Sequence, residues 1–275
     1  MPDAPGSLVG HVAAAACLCF LFLVTPAAAQ QPGPRPLEGP SGTLDFLSRY
    51  DFQLTATGLG SGDDPRFSWE THFGGAVDII DYKYGRLGFV SDYEAILGKQ
   101  DQPFDPNQAF YTLEASTSYW IDKTEVAAVF HHVSRHLGDR LKAYGIAWNV
   151  VQGRVLRRTT IANTDVSIRA GIGHTTAKAD VDYTWALDGD LVLRRRLNDR
   201  TGLFAHGYAE WFGVDPLLRG RTSPERGGRI EGGVRIEGRA GAIEAFLGFE
   251  QRIDADPGQY LPGRWAIAGF RILNK

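Results

Sequence analysis

Tyr111-Thr112-Leu113-Glu114-Ala115-Ser116-Thr117-Ser118-Tyr119-Trp120-Ile121 is the stretch on which the fold turns. Tyr111, Leu113, Ala115, Tyr119 and Ile121 are apolar or aromatic, and Thr112, Glu114, Ser116 and Ser118 stand between them. Successive side chains of a strand point to opposite faces, so this segment has one oily face and one wet face. The same rhythm runs in both directions along the chain. Tyr50, Phe52, Leu54 and Ala56 alternate with Asp51, Gln53, Thr55 and Thr57. Trp69, Phe73, Val77 and Ile79 stand against Glu70, His72 and Asp78. A further strand is expected near 87–97, with Asp92 and Glu94 on its wet side. Later, Val166, Ile168 and Ala170 oppose Asn163, Asp165, Ser167 and Arg169, while Ile230, Val234 and Ile236 oppose Arg229, Glu231, Arg235 and Glu237. Others are expected near 124–135, 143–151, 181–194, 202–212, 243–249 and 264–273.

A dozen strands with that pattern predict an all-β fold, a single antiparallel transmembrane β-barrel over residues 44–275, apolar outside and polar within. The expected count is about 12, or 10 to 14 if Asp188-Gly189-Asp190 is a hairpin turn. Connection lengths agree. With the N-terminus inside, outer loops fall at 60–65, 99–108, 135–142, 173–180, 214–228 and 254–263. Inner turns fall at 81–86, 122–123, 152–158, 197–200 and 238–241. Outer connections are the longer set, as in bacterial outer-membrane barrels. Six Trp, ten Tyr and fifteen Phe suit an aromatic girdle. The rival is a soluble β-sandwich, which would show no such asymmetry.

Residues 1–29 read as a cleaved signal peptide, with an apolar run from Val12 to Val24 and Ala27-Ala28-Ala29 before the cut. That run is shorter than the roughly 18 residues of a membrane-spanning helix. Cys17 and Cys19 both lie within it, so the mature chain has no thiol and no cysteine-bound metal. Residues 30–43, rich in Pro and Gly, read as a tether. The expected location is the bacterial outer membrane, with membrane lipids as partners. The oligomeric state is open. A formal net charge of -3 offers no basic excess for nucleic acid. Gly171-Ile172-Gly173 lacks the third glycine and the strand-to-helix context of a dinucleotide site, and no cofactor is expected.

The unusual local string is Phe130-His131-His132-Val133-Ser134-Arg135-His136-Leu137-Gly138-Asp139. On a strand, His132, Ser134 and His136 share one face, about 7 Å apart. Two readings follow from the residue types. His132, Ser134, His136 and Asp139 form a polar network at the strand end. A metal is the second reading, since His132, His136 and Asp139 offer ligand types; no second ligand cluster accompanies them, and none is assigned. Which face of the strand points outward is left open, because Val126, Ala128 and Phe130 share parity with His132 while Ala127, Val129 and Val133 oppose them.

The string resembles the His-any-Ser-any-His-Leu-Gly-Asp segment of a bacterial family known only as domain of unknown function 1207. Its His-any-Ser spacing is also similar to that of outer-membrane phospholipase A and the lipid A deacylase barrel. In those families the serine is the nucleophile and the histidine its base, on the lipid-facing wall. The resemblance implies Ser134 as nucleophile and His132 as base. An Asn follows the serine in those enzymes, whereas Arg135 stands here. A third group must orient the base. Asn149 on the next strand is a candidate, and Asn163 or Asp165 lies one strand further.

The wet face carries a second signal. Early strands contribute Asp51, Glu70, Asp78, Asp92, Glu94 and Glu114, and later strands add Arg169, Arg194, Arg229, Arg235, Arg252 and Arg271. Either the two walls set a transverse field across a narrow pore, or they pair and hold the tube shut. The function expected from sequence is thus a narrow channel or structural barrel, with a Ser/His lipid acyl hydrolase as the alternative. Arg194-Arg195-Arg196 beside an inner turn reads as a solvated end or a headgroup contact.

Overall fold

The computed structural model describes residues 39, 42–60, 62–138 and 145–274. The expected signal segment, most of the tether, and Asp139 lie outside the described residues. The chain forms twelve strands: β1 (Asp45–Gly60), β2 (Trp69–Tyr82), β3 (Gly85–Gly98), β4 (Asp105–Ile121), β5 (Thr124–Leu137), β6 (Ile146–Ile161), β7 (Thr164–Ala179), β8 (Tyr183–Arg196), β9 (Thr201–Val214), β10 (Glu225–Glu237), β11 (Gly241–Asp256) and β12 (Leu261–Asn274). One helical turn, α1 (Pro216–Arg219), sits between β9 and β10. Each strand pairs antiparallel with its sequence neighbours, and β1 pairs with β12 to close the barrel. Strands of 13 to 17 residues exceed the 9–11 that cross a bilayer, so they project beyond it.

Closure removes the edges that an open sheet would expose to lipid. At the seam, the register between β1 and β12 runs from Gln53 opposite Leu273 to Gly60 opposite Ala266. Below it the Asn274 side chain continues the ladder. Its Oδ1 accepts from the Phe52 N–H, and its Nδ2 donates to the Tyr50 carbonyl at 2.9 Å. The carboxamide thus stands in for one more peptide unit.

Connections differ between the two ends. One end has two-residue turns at 83–84, 122–123 and 162–163, with 197–200 and 238–240 slightly longer. The other has 61–68, 99–104, 138–145, 180–182, 215–224 and 257–260. By the rule for bacterial barrels, the second end is the outer one. Two expected connections are corrected. Residues 152–158 are not a turn but the middle of β6, and β7 continues through most of 173–180. The turn is instead Ala162-Asn163, with φ of 48° and 63°. A two-residue hairpin needs positive φ at both central positions, and asparagine tolerates it well. Asp188-Gly189-Asp190 stays inside β8.

The lipid-facing wall is apolar: Phe73, Tyr111, Leu113, Phe130, Ile172, Leu247 and Phe249 are all exposed. Inside, guanidinium and carboxylate groups cross the bore. Arg229 Nη1 lies 2.8 Å from Glu70, and Arg252 Nη2 lies 2.6 Å from the same carboxylate. Arg252 also pairs with Glu94. Arg154 meets Glu114 at 2.6 Å. Arg271 and Arg235 converge on Glu244 at 3.0 and 2.9 Å. Nearer the inner end, Arg86 lies 2.9 Å from Asp78 and 2.7 Å from Glu125.

The bore is not polar throughout, as the alternation alone suggested. Near its outer end Val133, Trp148, Tyr183, Phe212 and Ile253 form a buried apolar cluster, and Phe110, Phe246, Trp265 and Ala255 belong to a second. Ile253 and Ala255 reach these positions through a bulge in β11. Its pairing with β12 is interrupted between Arg252 and Asp256, and Asp254 adopts φ 47°. From the far wall, Gln108 on β4 donates to the Ala255 carbonyl at 2.8 Å, and Arg135 on β5 donates to the Asp254 carbonyl at 3.0 Å. The bulge therefore spans the bore. A cavity beside it, lined by Ile253, Trp148 and Tyr183, has a volume of about 50 Å³, room for water only.

Candidate active site

On β5, Glu125, Val129, His131, Val133 and Arg135 face inward, and Ala128, Phe130, His132, Ser134 and His136 face the lipid. The parity that the sequence left open is settled by packing. Val133 joins the inner apolar cluster, and Arg135 lies over the rings of Phe110 and Trp148, at 4.9 and 5.0 Å. Phe130, pointing the other way, is exposed.

The register then supplies the neighbours. His132 is directly opposite Leu113 on β4 and Asn149 on β6, while Ser134 is opposite Tyr111 and Ala147. His132 Nδ1 lies 2.6 Å from Asn149 Oδ1. With the amide oxygen as acceptor, the proton resides on Nδ1, and Nε2 keeps its lone pair. The pairing of β6 with β7 shifts between Asn149 and Val150, where the extra residue, Thr176, lies on β7, and Asn149 keeps the outward parity of Ala147 and Val151.

Ser134 Oγ lies 3.1 Å from His136 Nε2. The His136 ring packs edge-on against Tyr111, with centroids 5.3 Å apart, and Tyr111 rests on Tyr93 at 5.1 Å. Ser134 thus sits between two imidazoles on one face, bonded to the outer one, with the inner one held by Asn149. Towards the membrane centre the wall is Leu113, Phe130 and Val151, all exposed and apolar. This places a hydroxyl and two imidazoles at the outer end of the wall, above an apolar surface.

The other expected orienters lie elsewhere. Asn163 is in the inner turn between β6 and β7, and Asp165 is held there by Thr160 at 2.8 Å and Arg158 at 3.7 Å. Glu70, Asp92, Glu94, Glu114, Arg169, Arg229, Arg235 and Arg252 are all buried in the bore. There Glu70, His72 and Glu94 could offer three ligand atoms to a metal. The same carboxylates already face Arg229 and Arg252, and His72 spends both nitrogens on Glu70 and Asp92, at 2.8 and 2.9 Å. Sequence reasoning missed the Tyr93–Tyr111 platform, which depends on a cross-strand register that no local pattern carries.

No protein-family model and no curated protein matches the chain. Among solved structures, an outer membrane channel of Pseudomonas putida F1 superposes with a TM-score of 0.55 at 10% identity, over 90% of this chain and 99% of that one. CdiB of Escherichia coli gives 0.46 at 10% identity, over 82% and 62%. OmpT of Vibrio cholerae gives 0.44 at 10% identity, over 86% and 98%. At such identity the likeness is one of fold, and the first of these neighbours carries it: the chain is a closed, twelve-stranded antiparallel barrel of the outer-membrane type.

Proposed function

We propose that this barrel resides in the bacterial outer membrane, reached through a cleaved signal, and hydrolyses the acyl ester of a membrane lipid at Ser134. The observation that carries the reading is the 2.6 Å bond between His132 and Asn149 on the lipid-facing wall, one alternation from Ser134. Asn149 fixes the ring and its tautomer. His132 Nε2 then takes the Ser134 proton as Oγ attacks the ester carbonyl. The tetrahedral adduct collapses as the protonated His132 returns that proton to the departing alkoxide. Water next attacks the acyl-serine, passing its proton through His132 to regenerate the hydroxyl. The reading requires the serine hydroxyl to turn from His136 to His132. Leu113, Phe130 and Val151 offer the acyl chain a continuous apolar surface.

The test is fatty-acid release from phospholipid or lipopolysaccharide vesicles by the refolded barrel. We expect release by the native protein and none by the Ser134→Ala protein of unchanged gel mobility. Equal release by both proteins removes the reading. A second reading, a structural barrel, is favoured by the ion pairs and apolar clusters that fill the bore. It expects no release from either protein. The neighbour from Pseudomonas putida is a channel. A channel reading for this chain expects discrete conductance steps in planar bilayers, against which the ion pairs that cross the bore weigh.

A further inference from the structure

Three arginines of the outer end are each held by carboxylates, and four of the inner end are not. At the outer end Arg66 lies 2.8 Å from Asp256, Arg219 lies 3.0 Å from Asp180, and Arg221 pairs with Asp182 and lies 2.8 Å from Asp254. At the inner end Arg195, Arg196, Arg200 and Arg239 are exposed, and none forms an ion pair among the described residues. They are neighbours in space. Arg195 and Arg196 end β8, opposite Leu203 and Gly202 on β9. Arg200 lies in the following turn, and its carbonyl accepts from the Glu237 N–H at 2.7 Å, which brings the Arg239 turn alongside.

These strand ends enclose a crevice of about 80 Å³ lined by Arg195, Arg196, Asn198, Thr201 and Leu203. Two carboxylates also line it, and both are engaged. Asp165 is held by Thr160 and Arg158, and Glu237 lies 2.6 Å from Arg235. Asp199 is the remaining acid of that turn, against four guanidinium groups. Immediately towards the membrane centre, Leu203 and Ile236 are exposed and apolar.

We propose that this inner-rim crevice binds the phosphate of an anionic glycerophospholipid in the inner leaflet, with its acyl chains against Leu203 and Ile236. Guanidinium groups recognise phosphate through paired N–H donors. Arg195 and Arg196 line the crevice and Arg200 and Arg239 stand in the adjoining turns, all four without an ion pair among the described residues; set at the boundary between a charged rim and an apolar wall, they match an amphiphile whose charge and tails are separated in the same way. A free phosphate shares the charge but has no use for the apolar shoulder. The site lies at the opposite end of the strands from Ser134, so the inference does not rest on the hydrolase reading.

The experiment is native mass spectrometry of the full mature barrel from nanodiscs of mixed phosphatidylglycerol and phosphatidylcholine. The native protein should keep phosphatidylglycerol in preference to phosphatidylcholine. A protein carrying Arg195→Gln, Arg196→Gln, Arg200→Gln and Arg239→Gln should lose that preference by at least about tenfold. Its heat-dependent gel mobility should be unchanged, because all four side chains are exposed. Millimolar inorganic phosphate should leave the lipid adduct in place. Equal retention of the two lipids by the native protein overturns the proposal. So does an undiminished preference in the substituted protein, or displacement of the lipid by inorganic phosphate.

Discussion

Two histidines, one in the bore and one on the outer wall, show how the same side chain is put to different uses. His72 points inward and is gripped at both nitrogens, by Asp92 at 2.9 Å and Glu70 at 2.8 Å. His206 is held likewise, by Asp190 at 2.8 Å and Glu231 at 3.4 Å. An imidazole with two carboxylate partners has no lone pair to offer, and it serves as a crosslink. His132 is held at one nitrogen only among the described residues, by a neutral amide, on the outward face of β5. A general base needs that arrangement: fixed in orientation and open at the reacting atom. The lesson is that a buried histidine rich in contacts is the structural one here, and the sparsely bonded one is the candidate for chemistry.

The largest way to break this contrast is Ser134→Ala. It should lower fatty-acid release at least about a thousandfold, measured on lipid vesicles, and leave the unfolding midpoint unchanged. Glu70→Ala should do the reverse. It takes one carboxylate from Arg229, Arg252 and His72, which keep Glu231, Glu94 and Asp92, and should cost about 1–3 kcal/mol in urea unfolding from lipid vesicles, with hydrolysis per folded molecule intact. If Glu70→Ala removes activity without loss of stability, the bore takes part in the chemistry and the contrast fails. Asn149→Ala should fall between them, with release slowed roughly tenfold to a hundredfold, mainly in kcat. His136→Ala sharpens the assignment. A small effect leaves His132 as the base, whereas a loss as deep as that of His132→Ala moves the role to His136. The smallest expected change is at the seam. Asn274→Ala gives up two hydrogen bonds and should cost about 1–2 kcal/mol of stability, read from the same unfolding curves.

Much of the architecture was legible in the alternation, because a wall with lipid on one side imposes period two on each strand that crosses it. Tyr111 to Ile121 is read in the correct sense, with Tyr111, Leu113 and Tyr119 exposed and Glu114 and Ser118 buried. Residues 152–158 misled for a physical reason. Gly153 and Arg157-Arg158 resemble a polar break, but strands that project beyond the bilayer carry charge along their last turns without ending. The face of β5 was illegible because Val129 and Val133 are apolar and yet inward. They serve an apolar cluster inside the bore, so hydrophobicity no longer marks the lipid side. The string from His131 to His136 lies with Ser134 and His132 on the outward face, and Asn149, one of the candidates for orienting the base, is set opposite His132. Only the pairing register distinguished Asn149 from Asn163 and Asp165, which the fold carries to the opposite end.

The bulge of β11 around Asp254 makes the stopper of this tube a length of its own wall. A separate plug domain can be pulled out whole and leave the staves undisturbed. Here, widening the passage means straightening Ile253 to Ala255 back into line with β12 and surrendering the bonds from Gln108 and Arg135. Any conduit through this molecule would therefore open at the expense of its outer rim, before it met the ion pairs that cross the bore beneath.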